Sequence, residues 1–346
     1  MQIFKENISR SRMLLMKAIP ETLEYRLAKP ALLSFENGNK RSAGCLGCNN
    51  PKCMVFEKED IECAPVPDFP NDRNNEVCPV SALSWDSTND VPVVDKRKCI
   101  NCGLCISRCP VGAMYYDGGI KVANEASDQQ IKAAVNADSV RKQNTQIQAM
   151  SAIHKTGAFI KENDDLIESI YKKLDCIDHN YHNTIARNLL IGLGCSCAMR
   201  RIGDVYTRMD AVYSTSGTFG AVEVEFGRDT LDASRGVLDD IAVLNTRYGI
   251  KKEKNDALVV CLQLPNARQG YWQVVRDIRI VEGLKINTVT IGALMILLWN
   301  NQSFDPKQVP YYIDYDNMNL RAIVKKHIGN TIILSDKILG ILEPMK

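Results

Sequence analysis

The chain has 346 residues, 13 cysteines and a formal net charge of +2, with 45% hydrophobic and 24% charged residues. That length gives room for two or three domains with a sizeable core, and the apolar fraction is ordinary for a folded globular protein. A charge sum this close to zero neither demands nor excludes a nucleic-acid partner, because distribution matters more than the total.

Residues 1–30 are mixed basic and apolar, including S-R-S-R-M-L-L-M-K-A-I-P, and predict a short helical lead-in. The block 31–122 that follows is dominated by cysteine. Cys45, Cys48 and Cys53 stand in C-L-G-C-N-N-P-K-C, and Cys78 opens C-P-V-S-A. Cys99, Cys102, Cys105 and Cys109 stand in C-I-N-C-G-L-C-I-S-R-C-P, which continues V-G-A. The two halves echo each other, as an internal repeat of one binding unit would. Four thiolates this close cannot all pair as disulfides without strain, but they can wrap a cube of iron and sulfide. Zinc is the alternative, and it normally takes two C-x2-C pairs. A Pro after the last Cys of each half fits iron–sulfur better.

The run from Cys99 resembles the bacterial ferredoxin motif C-x2-C-x2-C-x3-C-P, whose fourth Cys ligates the other cluster of a two-cluster module. The resemblance covers residues 31–122 and implies two [4Fe-4S] clusters. One falls on Cys45, Cys48, Cys53 and Cys109, the other on Cys78, Cys99, Cys102 and Cys105. The flanks A-L-L-S-F, V-P-V-V-D and A-M-Y-Y-D-G-G-I-K-V agree with it. The first half departs from the pattern: four residues separate Cys48 from Cys53, and 24 lie between Cys53 and Cys78. Cys63, within that insertion, either replaces Cys53 as a ligand or is a bystander. Thiolate ligands need reduced cysteines, which points to a cytoplasmic location.

Residues 123–156 are rich in Gln, Asn, Ser, Lys and Ala and predict a partly helical connector. Residues 157–346 predict an α/β domain with a central mixed sheet. Asp164 can cap a helix in which Leu166, Ile170 and Leu174 share a face. A second helix, N-T-I-A-R-N-L-L-I-G-L-G, stops at Gly192 and Gly194. Strands are predicted at 203–213 and 220–226 around a hairpin turn, then a helix at 231–248 with Val237, Ile241 and Leu244 on one face. A buried strand at 257–264, a helix at 272–282 and a buried strand at 288–299 complete the order. The apolar run Val289–Trp299 is broken by Thr290 and Gly292 and is too short for a bilayer span. The opening M-Q-I-F-K-E-N is no signal peptide, so no membrane association is expected.

The predicted hairpin carries acids. Asp210 lies near its first strand, and Glu223 and Glu225, two apart on the second, share a sheet face. Three carboxylates on one face repel one another unless a cation joins them, and Mg²⁺ suits hard oxygen ligands. The pattern Asp, turn, E-x-E, helix, buried strands over Asn183–Trp299 resembles the PD-(D/E)xK type II restriction endonucleases, in the variant with Glu at the last position. That resemblance implies a restriction-endonuclease-like core, with Asp210 and Glu223 holding Mg²⁺. It implies Glu225 orienting or deprotonating water for attack on a DNA phosphodiester, in restriction or host defence. No acid is evident in the preceding helix, and Met209 stands where the motif has Pro. The competing reading is solvated carboxylates paired with Arg200, Arg201 or Arg208.

Smaller signals are a Cys/His group (Cys176, His179, His182, Cys195, Cys197) of no common zinc spacing, a basic K-K-E-K at 251–254 suited to phosphates, and Arg268, Gln269, Tyr271 and Trp272 in a loop that could read bases. Cys261 reads as a small core residue. There is no Gly-rich phosphate loop and no nucleophile elbow. Three functional classes follow: a Mg²⁺-dependent endonuclease with structural or redox-sensing clusters, a ferredoxin-type electron carrier with an α/β docking domain, and a non-catalytic nucleic-acid-binding protein. The partners expected are DNA, a redox protein and a second copy of the chain.

Overall fold

The computed structural model describes residues 32–34, 40–42, 51–63, 66, 69, 72–87, 91–108, 114–117, 121–124, 132–134, 167–227, 230–251, 255–299, 302–307, 311, 320–328 and 340–346. The chain divides into two compact units. One comprises Met1–Phe56, Glu76–Cys176 and Leu298–Asn301, the other Glu57–Asn75, Ile177–Leu297 and Gln302–Lys346. The expected blocks 31–122 and 157–346 are therefore interleaved: 57–75 belong to the second unit, 157–176 and 298–301 to the first.

The first unit is made of short pieces. Strand β1 (Leu32–Ser34) pairs antiparallel with β2 (Lys40–Ser42) and parallel with β7 (Lys132–Ala134). Thus a strand stands within the segment read as a partly helical connector, most of which lies outside the described residues. β3 (Leu83–Asp86) pairs antiparallel with β4 (Val91–Val94), and β5 (Met114–Asp117) with β6 (Lys121–Asn124). Pro92 is tolerated because a two-stranded ribbon leaves an outer edge that needs no amide donor. Helix α1 (Leu104–Ser107) is one turn long and starts from Gly103, whose φ of 82° is left-handed. Helix α2 (167–174) buries Ile167, Ile170 and Leu174; Asp164 and Leu166 lie outside the described residues. The described core of this unit is small: Phe56, Val77, Val80, Ile100, Leu104, Ile106, Met114, Leu298 and Trp299 are its main buried side chains besides that helix face.

The second unit is built on a five-stranded mixed sheet in the order β12-β11-β10-β9-β8. Helix α3 (His182–Gly192) leads to β8 (Ser196–Met199), after Gly194 takes φ +94°. β9 (Ala211–Thr215) and β10 (Thr218–Glu225) form the predicted hairpin. Its two central residues, Ser216 and Gly217, both have positive φ, as the tight turn matching strand twist requires. β11 (Asn255–Cys261) and β12 (Ile286–Thr290) run parallel to β10. Parallel neighbours need crossovers, which α4 (Leu231–Tyr248) and α5 (Gly270–Glu282) supply. Each ends on a left-handed Gly, Gly249 and Gly283. Helix α6 (Ile291–Trp299) follows β12 directly, and α7 (Leu320–Ile328) lies near the chain end.

The mixed α/β architecture read from the sequence is thus present, with local corrections. Of the strand expected at 203–213, only 211–213 is strand, the start of β9, and 203–210 is irregular. The strand expected at 288–299 is β12 plus α6, because a run buried on every side carries no period to distinguish the two. The insertion between Cys53 and Cys78 contributes a helical turn, Lys58–Ile61, and Asp72 to the sheet unit. Asp72 forms a buried 2.6 Å ion pair with Arg187 of α3 and also accepts the Met199 amide of β8 at 3.0 Å. Gly220 of β10 is required by crowding: a Cβ there would stand 2.3 Å from the Asp256 carbonyl oxygen. Among the described residues no helix is long and apolar enough to cross a membrane.

Candidate metal centre and an acidic cluster

The first unit brings its cysteines together through backbone ties. The turn holding Cys53 is closed by the Met54 amide on the Pro51 carbonyl (2.8 Å), and the Val77 amide bonds the Met54 carbonyl (2.9 Å), which aligns the Cys53 and Cys78 segments. The Arg108 Nε donates to the Lys52 carbonyl (2.8 Å), and its guanidinium lies 4.6 Å over the Phe56 ring. The Asp95 amide donates to the Ala82 carbonyl (2.7 Å), tying the Cys99 segment to the one after Cys78. Asn101 takes a left-handed φ of 63°, which turns the chain between Cys99 and Cys102. Cys105 sits on α1.

The sulfur atoms of Cys78, Cys99, Cys102 and Cys105 feel one another's charge, and Cys105 also feels Cys53. Burial first, and this mutual repulsion second, push the thiols of Cys99, Cys102 and Cys105 above their ordinary range. The Asn101 N–H, donating to Cys99 Sγ at 3.4 Å, partly offsets this for Cys99, and the Ala82 N–H donates to Cys78 Sγ at 3.1 Å. Buried thiolates this crowded are unfavourable alone and become favourable around cationic iron, whose charge inverts the local logic. The donor set therefore fits a [4Fe-4S] cluster. Cys45, Cys48 and Cys109, the other expected ligands, lie outside the described residues.

Cys63, the alternative to Cys53, is placed in the sheet unit. Its thiol donates to the carbonyls of Ser196 (3.2 Å) and Val212 (3.4 Å), and burial pushes it up to about 12. This is the setting of a buried core thiol. Cys195, Cys197 and Cys261 are likewise buried in this unit. Cys176 is exposed, and His179 packs edge-on against His182, which stacks on Phe226 at 4.3 Å. Among the described residues no three His, Cys, Asp or Glu side chains converge on a point that one metal ion could occupy.

Asp210 and Glu223 of the hairpin lie close enough for their charges to interact. Asp210 stands just before β9 and accepts Asn183 Nδ2 (2.9 Å) and the Val224 amide of β10 (3.0 Å), with Arg200 at 3.4 Å. Burial raises the Glu223 carboxyl to about 9, helped by the charges of Asp210 and Asp240. Asp240, on α4, is 2% exposed and raised to about 7 by burial and then by Asp210. One turn earlier on α4, Gly236 leaves the room that the Glu223 carboxyl fills: a Cβ would come within 3.2 Å of its Oε1. Glu225, on the same strand face, turns its carboxylate back onto the Gly227 amide at 2.5 Å. So the charges of Asp210 and Asp240 reach Glu223, Glu225 is engaged at its own strand end, and the three acids do not converge as ligands of one ion. The sequence signal for Asp240 was its place beside Ile241 on the buried stripe of α4. Next to it, a cleft of about 390 Å³ is lined by Tyr206, Arg208, Asp239, Asp240, Arg247 and Tyr248.

Tyr271 and Trp272 are not groove readers. Both are fully buried, Trp272 Nε1 donating to the Pro265 carbonyl (3.1 Å) and Tyr271 bonding Thr288 Oγ1 (2.7 Å). Lys251 is exposed, while 252–254 lie outside the described residues.

Comparison with known proteins agrees with the cysteine geometry. Residues 92–115 match the family model of the 4Fe-4S binding domain. An uncharacterized ferredoxin of Methanocaldococcus jannaschii is 45% identical over 40 residues, 12% of this chain and 25% of the relative. The polyferredoxin-like subunit of an aliphatic sulfonate oxidoreductase of Pyrococcus furiosus is 42% identical over 48 residues, 14% of this chain and 26% of the relative. A selenate reductase subunit of Mesobacillus selenatarsenatis is 27% identical over 104 residues, 29% of this chain and 28% of the relative. The chain thus spans about a quarter of the length of the curated relatives it matches, and no solved structure matches it. The chain carries a ferredoxin-like 4Fe-4S binding module.

Proposed function

We propose that the chain is an electron-transfer protein with two [4Fe-4S] clusters that exchanges single electrons with a redox partner protein. One cluster is held by Cys78, Cys99, Cys102 and Cys105, the other by Cys45, Cys48, Cys53 and Cys109. Such clusters supply one-electron chemistry at a potential set by charge, hydrogen bonds to sulfur and exposure. The observation that carries the reading is the gathering of Cys53, Cys78, Cys99, Cys102 and Cys105 in one small unit. Two relatives, by their names, are subunits of oxidoreductases, which supports a partner protein as the other end of the transfer. The test is reversible bleaching. Anaerobic dithionite should lower the visible absorbance, a one-electron acceptor should restore it, and Cys99→Ser should lose a large part of the signal. A chain that shows no reducible chromophore sinks the proposal.

A second reading rests on the packing of Asp210, Glu223 and Asp240 in the sheet unit. Loss of protons from these carboxyls would create the negative site that Mg²⁺ prefers, and the chemistry would be phosphodiester hydrolysis on DNA, with Asp210 and Glu223 as ligands. Incubation of plasmid DNA with the chain and Mg²⁺ decides it: cleavage that Glu223→Gln abolishes supports it, and cleavage that survives Glu223→Gln, or none at all, removes it.

A further inference from the structure

Two side chains remote from the cysteine motif end on its backbone. The Lys173 ammonium, 74 residues after Cys99 and carried by α2, donates to the Cys99 carbonyl. The Trp299 indole, 197 residues after Cys102, donates to the Cys102 carbonyl at 3.0 Å. Both therefore grip the same short loop, which supplies two thiolates to one ligand set. Neither position is incidental. Ile167, Ile170 and Leu174 bury one face of α2, and this seats Lys173 half-buried against the loop. Trp299 is 6% exposed, so its N–H has little water to turn to.

A fixed positive charge beside a buried redox group favours the state with the extra electron, and does so more strongly where water is partly excluded. Asp95 acts on Cys99 in the opposite direction but more weakly than Lys173, its carboxylate being partly exposed to solvent and accepting the Arg97 amide at 2.9 Å. We propose that Lys173, assisted by Trp299, makes the cluster of Cys78, Cys99, Cys102 and Cys105 the more easily reduced of the two. An electron taken from a low-potential one-electron donor then rests there before it leaves for the partner. The step adds one electron and breaks no bond, and the Lys173 ammonium offsets the added negative charge. This inference rests on the two-cluster reading above and concerns positioning residues, not ligands.

The experiment is an EPR-monitored redox titration of the full chain with iron assayed in parallel. The unaltered chain should titrate in two one-electron waves. Lys173→Met should leave the iron content intact and shift the higher wave alone, by about tenfold in its oxidised-to-reduced ratio, ~59 mV downward. Lys173→Arg should hold that wave near its original place, and Trp299→Phe should move the same wave by less. If Lys173→Met loses iron, Lys173→Gln carries the same expectation. An unmoved higher wave with iron intact, an equal shift of both waves, or a Lys173→Arg shift as large as that of Lys173→Met overturns the assignment while leaving the electron-transfer reading in place. A chain without iron removes both.

Discussion

In the sheet unit, Ala257–Cys261 are completely buried on both faces of the sheet, and helices α4 and α5 cross over it with apolar stripes. Among the described residues, the cysteine unit has strands of three or four residues, the one-turn helix α1, helix α2 and a thin set of buried side chains. The first solution draws on apolar area, which contributes roughly 25 cal/mol per Å² removed from water. The described part of the second offers less of that area, and metal held by its cysteines would supply the rest of the constraint. The difference teaches where each unit is vulnerable: one to cavities and orphaned charges, the other to loss of iron.

The largest effect should come from iron removal. Chelation under anaerobic conditions should abolish the ordered structure of the cysteine unit while the sheet unit keeps its protected amides, as read by hydrogen exchange. Equal loss of protection in both units would break the comparison. Next is Asp72→Ala. It leaves the Arg187 guanidinium, fully buried, without its carboxylate, and should cost about 3–5 kcal/mol in urea unfolding of the sheet unit. Replacing both partners by apolar residues of similar size should recover most of that loss.

A smaller effect separates the units by pH. The Glu223 carboxyl is raised from an ordinary 4.5 to about 9, so the folded sheet unit holds a proton that the unfolded chain releases. Its contribution is complete below about 4.5 and is lost as pH rises toward about 9, with Asp240 acting in the same direction. Thermal melts should therefore fall between about pH 5 and about pH 9, and Glu223→Gln should flatten the slope. An unchanged slope contradicts the burial described for Glu223. Smallest of all is Lys58→Ala, which removes an exposed 3.4 Å pair with Glu62 and should change stability by less than about 0.5 kcal/mol.

Legibility in the sequence followed the same divide. Helix Leu231–Tyr248 matches its expected range because Val237, Ile241 and Leu244 mark a stripe and Gly249 stops it. The E-x-E strand was readable from alternation alone. The β12–α6 boundary was not, since Ile291–Leu298 are buried all round and supply no amphipathic period. The Arg187–Asp72 pair joins residues 115 positions apart, a contact that no local pattern encodes. The stripe of α4 marks Asp240 as buried, but its charge reaching Glu223 of β10 is likewise a contact between elements that no local pattern encodes. The cysteines were legible because covalent chemistry fixes their spacing, whereas the carbonyl bonds of Lys173 and Trp299 depend on how distant helices pack.

Iron and acid-labile sulfide should be counted on the full chain purified without oxygen. The account predicts a brown protein with about eight of each per chain, two four-iron cubes. A colourless protein, or one whose cysteines carry zinc and no sulfide, would contradict it.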